Sequence, residues 1–294
     1  MNINRFTQYT KATAVFTLVI LLSISNANAK SKKTLIGVTL EYPPFNYENT
    51  QTHKAEGATP TLLRHIFDDL GYDLDIRVLP WKRSQYMVEA GSAHIIFTYT
   101  RSTRRQKFAL YSNPVSTIRT IFVKNRNSKV PSTWNSLADL KPYLIGINGG
   151  YNYPPTFMRA LEANIFDHVV PVISQNPTET NLFRLLNKRI DYFICSVDCI
   201  FEINRLPKQD KLQIEKIDHT IDGERTMHVG FSKNNNAVWS SAVRVREEFN
   251  ALFDQYLKNG KVEKIYKQYQ MEVDYKRLGS KLNNNWDNTL DKIE

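Results

Sequence analysis

Strand-like and helix-like segments alternate along this chain, and the same alternation occurs twice. Residues 35–39 form a short β-like run. It leads into Tyr42-Pro43-Pro44-Phe45-Asn46-Tyr47, where the prolines forbid helix and hold an extended turn. Thr59 suits a helix N-cap and Pro60 the first helical position. Leu62, Leu63, Ile66, Phe67 and Leu70 then recur at helical spacing, and Gly71 ends the run. Residues 74–79 alternate as a strand, 81–89 read as a helix stopped by Ala90-Gly91, and 93–98 as a buried strand. The order returns with a strand at 144–148, a helix at 156–163, a strand at 169–173, a helix at 179–187 and a strand at 191–195. Such an order implies parallel sheets with covering helices, and two units of this design imply two lobes. A strand at 229–232 and helices at 237–259 and 262–269 follow, broken at Asn259-Gly260-Lys261.

The two ends read differently. Arg5 and Lys11 precede a mostly apolar run over 15–22, and Ala27-Asn28-Ala29 offers small residues to a signal peptidase. Residues 1–29 are therefore expected to be a cleaved signal peptide, with export to the periplasm. The apolar run is short for a bilayer span. No Cys lies near the cleavage site, so a lipid anchor is not expected there. Cleavage leaves 265 of the 294 residues and, with Arg5 and Lys11 gone, lowers the net charge from +10 to +8. That excess favours anionic ligands or surfaces without identifying either. The basic residues are scattered and no nucleic-acid motif is present, so nucleic acid is not an expected partner. Residues 275–294 are polar and Asn-rich and read as a tail outside the core.

The motif with most chemical content is Ser102-Thr103-Arg104-Arg105, followed by Tyr111-Ser112-Asn113-Pro114. It resembles the ligand-binding signature of the family 3 periplasmic solute-binding proteins. The other landmarks, from about 35 to 271, are Tyr42-Pro43-Pro44-Phe45, Gly57, Gly71, Leu137-Ala138-Asp139-Leu140, Gly149-Gly150, Arg189-Ile190-Asp191 and Asn259-Gly260-Lys261. The resemblance implies an α/β fold of the two-lobed Venus-flytrap kind, type II, with two hinge crossings near 123–129 and 225–229. Lobe 1 would comprise 30–124 and 227–274, and lobe 2 would comprise 125–226. The ligand would lie between the lobes, at the carboxyl ends of the strands.

By resemblance, Ser102 and Arg105 hold a ligand carboxylate, because guanidinium offers a flat fork of donors that matches two oxygens. Tyr42 and Trp81 take the places of aromatic walls, core packing being the alternative for each and for Phe45. Thr100 is a further candidate. In lobe 2, Gly149, Gly150 and Tyr151 follow a strand, where glycines let backbone N–H groups approach an anion. Departures from the family pattern bear on the ligand. Ser196 stands where amino-acid receptors keep an Asp for the α-ammonium, with Asp198 two residues further as a substitute. Gly57-Ala58-Thr59-Pro60-Thr61 replaces an acidic motif, and His94 stands where an Asp begins the strand. Arg83, Arg101 and Arg104 are extra cations near the expected mouth.

Cys195 and Cys199, the only cysteines, bracket Ser196-Val197-Asp198. In an exported chain they are expected to pair, in preference to metal binding or catalysis, since no third ligand or Cys-His arrangement accompanies them. The leading reading is a monomeric receptor for a small carboxylate-bearing solute, serving an ABC permease or a membrane sensor, with no cofactor, metal or catalytic residue. Two other readings stand beside it. One is an enzyme resembling the cyclohexadienyl dehydratases, with Glu41 as its acid. The other is a signalling receptor without a transport role.

Overall fold

The computed structural model describes residues 32–217, 219–234, 241–269, 271 and 278. The expected signal peptide lies outside the described residues, as does the expected tail apart from Leu278, which is buried. Among the described residues no helix is long and apolar enough to cross a membrane.

Two sheets organise the chain. The first contains β1 (Lys33–Thr39), β4 (Tyr72–Val78), β5 (Ile95–Tyr99), β6 (Ala109–Tyr111), β7 (Ser116–Arg119) and β13 (Glu224–Ser232), in the order β4-β1-β5-β13-β6 with β7 also on β13. A two-stranded ribbon of β2 (Tyr47–Glu48) and β3 (Ala55–Glu56) stands apart. The second sheet contains β8 (Ile121–Asn125), β9 (Leu144–Asn148), β10 (His168–Val172), β11 (Tyr192–Cys195) and β12 (Ile214–Lys216), in the order β10-β9-β11-β8-β12. This is the strand order of a type II two-lobed binding protein.

The sheets are mixed and not purely parallel as the element order suggests. β1 pairs with β5, and β9 with both β10 and β11, in parallel. β13 runs antiparallel to β5, β6 and β7, and β8 antiparallel to β11 and β12. The antiparallel members flank the crossings, where the chain passes from one sheet to the other and back. Because β8 already belongs to the second sheet, the first crossing falls at Thr120, upstream of the expected 123–129. The return crossing likewise falls between β12 and β13, upstream of 225–229. The two crossings bond to each other: the Ile221 N–H donates to the Thr120 carbonyl at 3.0 Å.

Helices α1 (Ala58–Asp69), α2 (Trp81–Glu89) and α3 (Thr103–Gln106) belong to the first lobe, and α4 (Pro155–Glu162), α5 (Pro177–Leu186), α6 (Val197–Arg205) and α7 (Lys208–Lys211) to the second. Helices α8 (Ala242–Lys258) and α9 (Lys261–Gln268) return to the first lobe, as their spacing and the αL Gly260 between them suggest. Their aromatic stripe packs Phe249 against Phe67 and Phe231 at ring distances of 5.8 and 5.6 Å. The second lobe has a core on each face of its sheet, one around Phe122, Phe157 and Tyr192, the other around Val123, Leu185 and Phe193.

One helix start differs from expectation. Gly57, not Thr59, is the N-cap of α1, without a side-chain cap bond. Backbone carbonyls replace it: Ala58 and Thr59 N–H groups donate to Pro44 and Phe45 carbonyls at 3.3 and 2.9 Å. Gly57 sits at φ +116°, and a Cβ there would come within 2.4 Å of the Phe45 carbonyl oxygen, so only glycine allows this approach. The turn that carries Tyr42 is thereby tied to α1. It contains a cis Pro43–Pro44 bond and a backbone bridge between Tyr42 and Asn46.

Candidate ligand cleft

The cleft is best built from the end of β5. Thr98, the residue before the last of β5, is in the left-handed region (φ 59°), its hydroxyl on the Asn46 side chain. Ser102 then caps the short helix α3, its Oγ accepting from the Arg105 N–H at 3.3 Å. That cap sets where Arg105 points. Arg105 is 7% exposed, and its Nη1 donates to the Thr100 carbonyl at 2.9 Å and the Thr100 hydroxyl at 2.8 Å. Its guanidinium carbon stands 4.6 Å from the Tyr99 ring centroid and 5.3 Å from that of Trp81. Ring faces hold a cation favourably, each by roughly 0.5–2 kcal/mol. With its amide oxygen turned inward, Gln85 accepts from Trp81 Nε1 at 2.6 Å and Arg105 Nη2 at 3.0 Å. Burial lowers the pKa of Arg105, the nearby tyrosines partly opposing this, and raises that of Tyr99 to about 12.

The second lobe supplies the facing wall from the segment after β9. Asn152 Nδ2 donates across the cleft to Thr100 Oγ1 at 3.1 Å and to the Arg101 carbonyl at 2.9 Å. Tyr151 brings its ring within 6.4 Å of Tyr42. From β13, next to the hinge, Arg225 reaches the same place: its Nη1 donates to the Asn152 carbonyl at 2.9 Å and its Nη2 to Thr120 Oγ1 at 3.4 Å. Burial lowers its pKa to about 10; Tyr42 partly offsets this and the Arg105 charge adds to it. Direct bonds thus join the lobes, which stand closed on one another.

Tyr42, Trp81, Thr100, Arg105, Tyr151 and Ser196 come together around one chamber of about 40 Å³. Ser102 is not part of its wall; its Oγ serves as the acceptor of the helix cap. Gly149 and Gly150 stand aside too. The Gly149 N–H donates to the Val172 carbonyl at 2.7 Å, and a Cβ on Gly149 would meet Ile173 at 2.6 Å, so this glycine packs against β10. Ser196 caps α6 at the end of β11, where Cys195 and Cys199 form a disulfide with 5.6 Å between their Cα atoms. A strand end and a first helical turn give that separation. The Asp198 side chain lies outside the described residues. His94 takes a structural part: its Nδ1 accepts from the Ile36 N–H at 2.9 Å. Arg83 and Arg104 are exposed and outside the chamber, while Arg101 lies over the Tyr111 ring at 5.4 Å.

Sequence reasoning missed Asn152, Tyr153 and Arg225 in the chamber wall, together with the apolar Leu40, Ile118 and Met227. Arg225 lies in a stretch read only as a crossing, and no residue spacing relates it to Arg105. A second, outer cavity of about 400 Å³ lies between Glu41, Tyr47 and Glu48 of the first lobe and Glu179, Glu202 and Arg205 of the second. Burial raises Glu41 to about 7, against the Glu48 N–H that its Oε2 accepts at 3.1 Å, and burial also raises Glu202. Among the described residues no cluster of three or more His, Cys, Asp or Glu could hold a metal ion.

The profile of the bacterial extracellular solute-binding proteins, family 3, matches residues 35–272. The chain belongs to that family. No curated protein matches it. Among solved structures it is similar to a histidine kinase sensor domain related to periplasmic binding proteins (15% identity, TM-score 0.69, covering 85% of this chain and 99% of that one). It is also similar to the arginine-, lysine-, histidine-binding protein ArtJ of the thermophilic bacterium Geobacillus stearothermophilus (19%, 0.64, 84% and 99%). A third is EhuB, solved with hydroxyectoine (21%, 0.65, 83% and 90%). At these identities the likeness is one of fold.

Proposed function

We propose that this chain is an exported, monomeric receptor that closes on a small carboxylate-bearing solute and presents the closed form to an ABC permease or a membrane sensor. The observation that carries this reading is Arg105: a buried guanidinium, held by Thr100 and two aromatic faces, in a chamber with no carboxylate in its described wall. A cation so placed favours an anion that arrives with the ligand. No chemistry is required, only contacts from both lobes that favour closure. Ser196 at the end of β11 stands where amino-acid receptors keep an Asp for the α-ammonium, so ordinary amino acids are expected to bind poorly; micromolar binding of one would point to Asp198 as the substitute acid. Likeness to a sensor domain supports signalling as an output alongside transport. The expected signal peptide would deliver the protein to the periplasm.

The enzymatic reading is the weaker one. Glu41, its candidate acid, faces the outer cavity and not the chamber of Arg105. An acid separated from the anion clamp is poorly placed to act on an acid held by it. A thermal-shift screen of amino acids, dicarboxylates and small peptides tests the proposal. Stabilisation by carboxylates and not by their uncharged amides supports it; stabilisation by neutral solutes alone contradicts it. Turnover of prephenate-like acids would overturn the binding-only role.

A further inference from the structure

The proposed carboxylate reading rests on Arg105 alone, yet the chamber wall holds a second guanidinium. Arg225 comes from β13, on the hinge side, and approaches the chamber from a different element than Arg105. Two of its donors are used, on the Asn152 carbonyl and the Thr120 hydroxyl. Its Nε–H is buried and meets no acceptor among the described residues. Buried donors are normally satisfied, and one left over beside a cavity needs an explanation. Arg105 and Arg225 repel each other, and neither meets an Asp or Glu in the described wall of the chamber. The rest of that wall consists of hydroxyls, an amide, aromatic rings and aliphatic groups, all uncharged.

We propose that Arg105 and Arg225 together select a small dianion, of the dicarboxylate class, with one acidic group on each guanidinium. A buried and a half-buried cation with no carboxylate in the described wall between them are each disfavoured by desolvation and by the other, Asp222 outside that wall offsetting this only in part for Arg225, and a ligand with two anionic groups relieves both costs. A monoanion relieves one and leaves the other cation unpaired. The guanidinium fork suits a planar carboxylate at each end. Tyr42, Trp81 and Tyr151 would pack the carbon chain between the two ends. This rests on the carboxylate reading of Arg105 and adds the ligand class. It also gives Arg225 a role beyond linking the lobes through Asn152.

The test uses the exported protein and calorimetry with three probes: glutarate, its monoamide glutaramate, and L-glutamine. The wild-type protein is expected to bind glutarate about 10- to 100-fold more tightly than glutaramate, the range that one charge-assisted contact supplies. In Arg225→Gln that preference is expected to collapse toward unity, and in Arg225→Lys to be partly kept, because the charge remains while the fork is lost. A lobe-linking role for Arg225 would weaken both acids alike and leave the ratio untouched, which overturns the proposal. Tighter binding of glutaramate or L-glutamine than of glutarate would overturn the dianion while leaving the carboxylate reading intact. No binding of any of the three would count against both. Circular dichroism of each variant separates loss of preference from loss of fold.

Discussion

Arg105 concentrates the argument about binding. Its side chain is held by Thr100, Tyr99 and Trp81 before any ligand is considered, so little ordering remains when an anion arrives. Charge-assisted hydrogen bonds contribute roughly 1.5–3 kcal/mol each, so Arg105→Ala is expected to weaken carboxylate binding about 100-fold or more. The fold should survive, because the replaced cation has no acid partner to strand. Calorimetry of a carboxylate that binds the wild-type protein checks this, and equal affinity in the variant would contradict it. Glu41 supports a second prediction. Burial raises its folded pKa to about 7 from an ordinary 4.5, with Glu48 and Glu202 adding negative charge and Arg205 partly offsetting them. Between those values the unfolded chain releases a proton that the folded chain keeps. The contribution is therefore present below about pH 4.5 and lost as pH rises through 7. Glu41→Gln should flatten that part of the dependence: its melting temperature should fall less between pH 5 and pH 8 than that of wild type. Parallel curves for the two proteins would contradict the raised pKa.

Among the elements, the disulfide at the end of β11 is the simplest to test. Cys195 and Cys199 close a loop with a sequence separation of 4 and lie against buried Leu182, Ile203 and Ile214. A loop that short adds only about 2 kcal/mol through chain entropy. Exported protein should show no titratable thiol when denatured, two after reduction, and a small drop in melting temperature on reduction. Two thiols before reduction would reject the bond. The elements also show where reading the chain succeeds. Helix α2 and strand β9 fall at the positions that the sequence pattern assigns, because α2 is bounded by Pro80 and Ala90-Gly91 and β9 is a short apolar run closed by Asn148-Gly149-Gly150. Strands β6, β7, β8 and β12 carry no clear local pattern, being three to five residues long and defined by partners far along the chain. The N-cap at Gly57 was misplaced because its bonds come from Pro44 and Phe45, which no local pattern announces. The same distinction holds in the cleft. Arg105, Trp81 and Tyr42 were legible through the family motif, whereas Asn152 and Arg225 enter only once the hinge brings β13 beside the second lobe.

For the molecule as a whole, the hinge is the working part. Its two crossings meet at Thr120 and Ile221, and the β7–β13 ribbon runs directly into them. The closed arrangement is held across the cleft by Asn152 on Thr100 and Arg101, and by Arg225 on Asn152. Gln175 adds a long bond to the Val78 carbonyl at 3.5 Å, and a ligand that touches both lobes adds to these ties only in the closed state. Opening and closing should therefore be governed by the bound acid. Small-angle X-ray scattering, with and without a saturating amount of the most stabilising carboxylate from the thermal-shift screen, measures this most directly. The account predicts a smaller radius of gyration with the acid present, and no such change in Arg105→Ala at the same concentration. Superimposable profiles for the wild-type protein with and without the bound acid would contradict it.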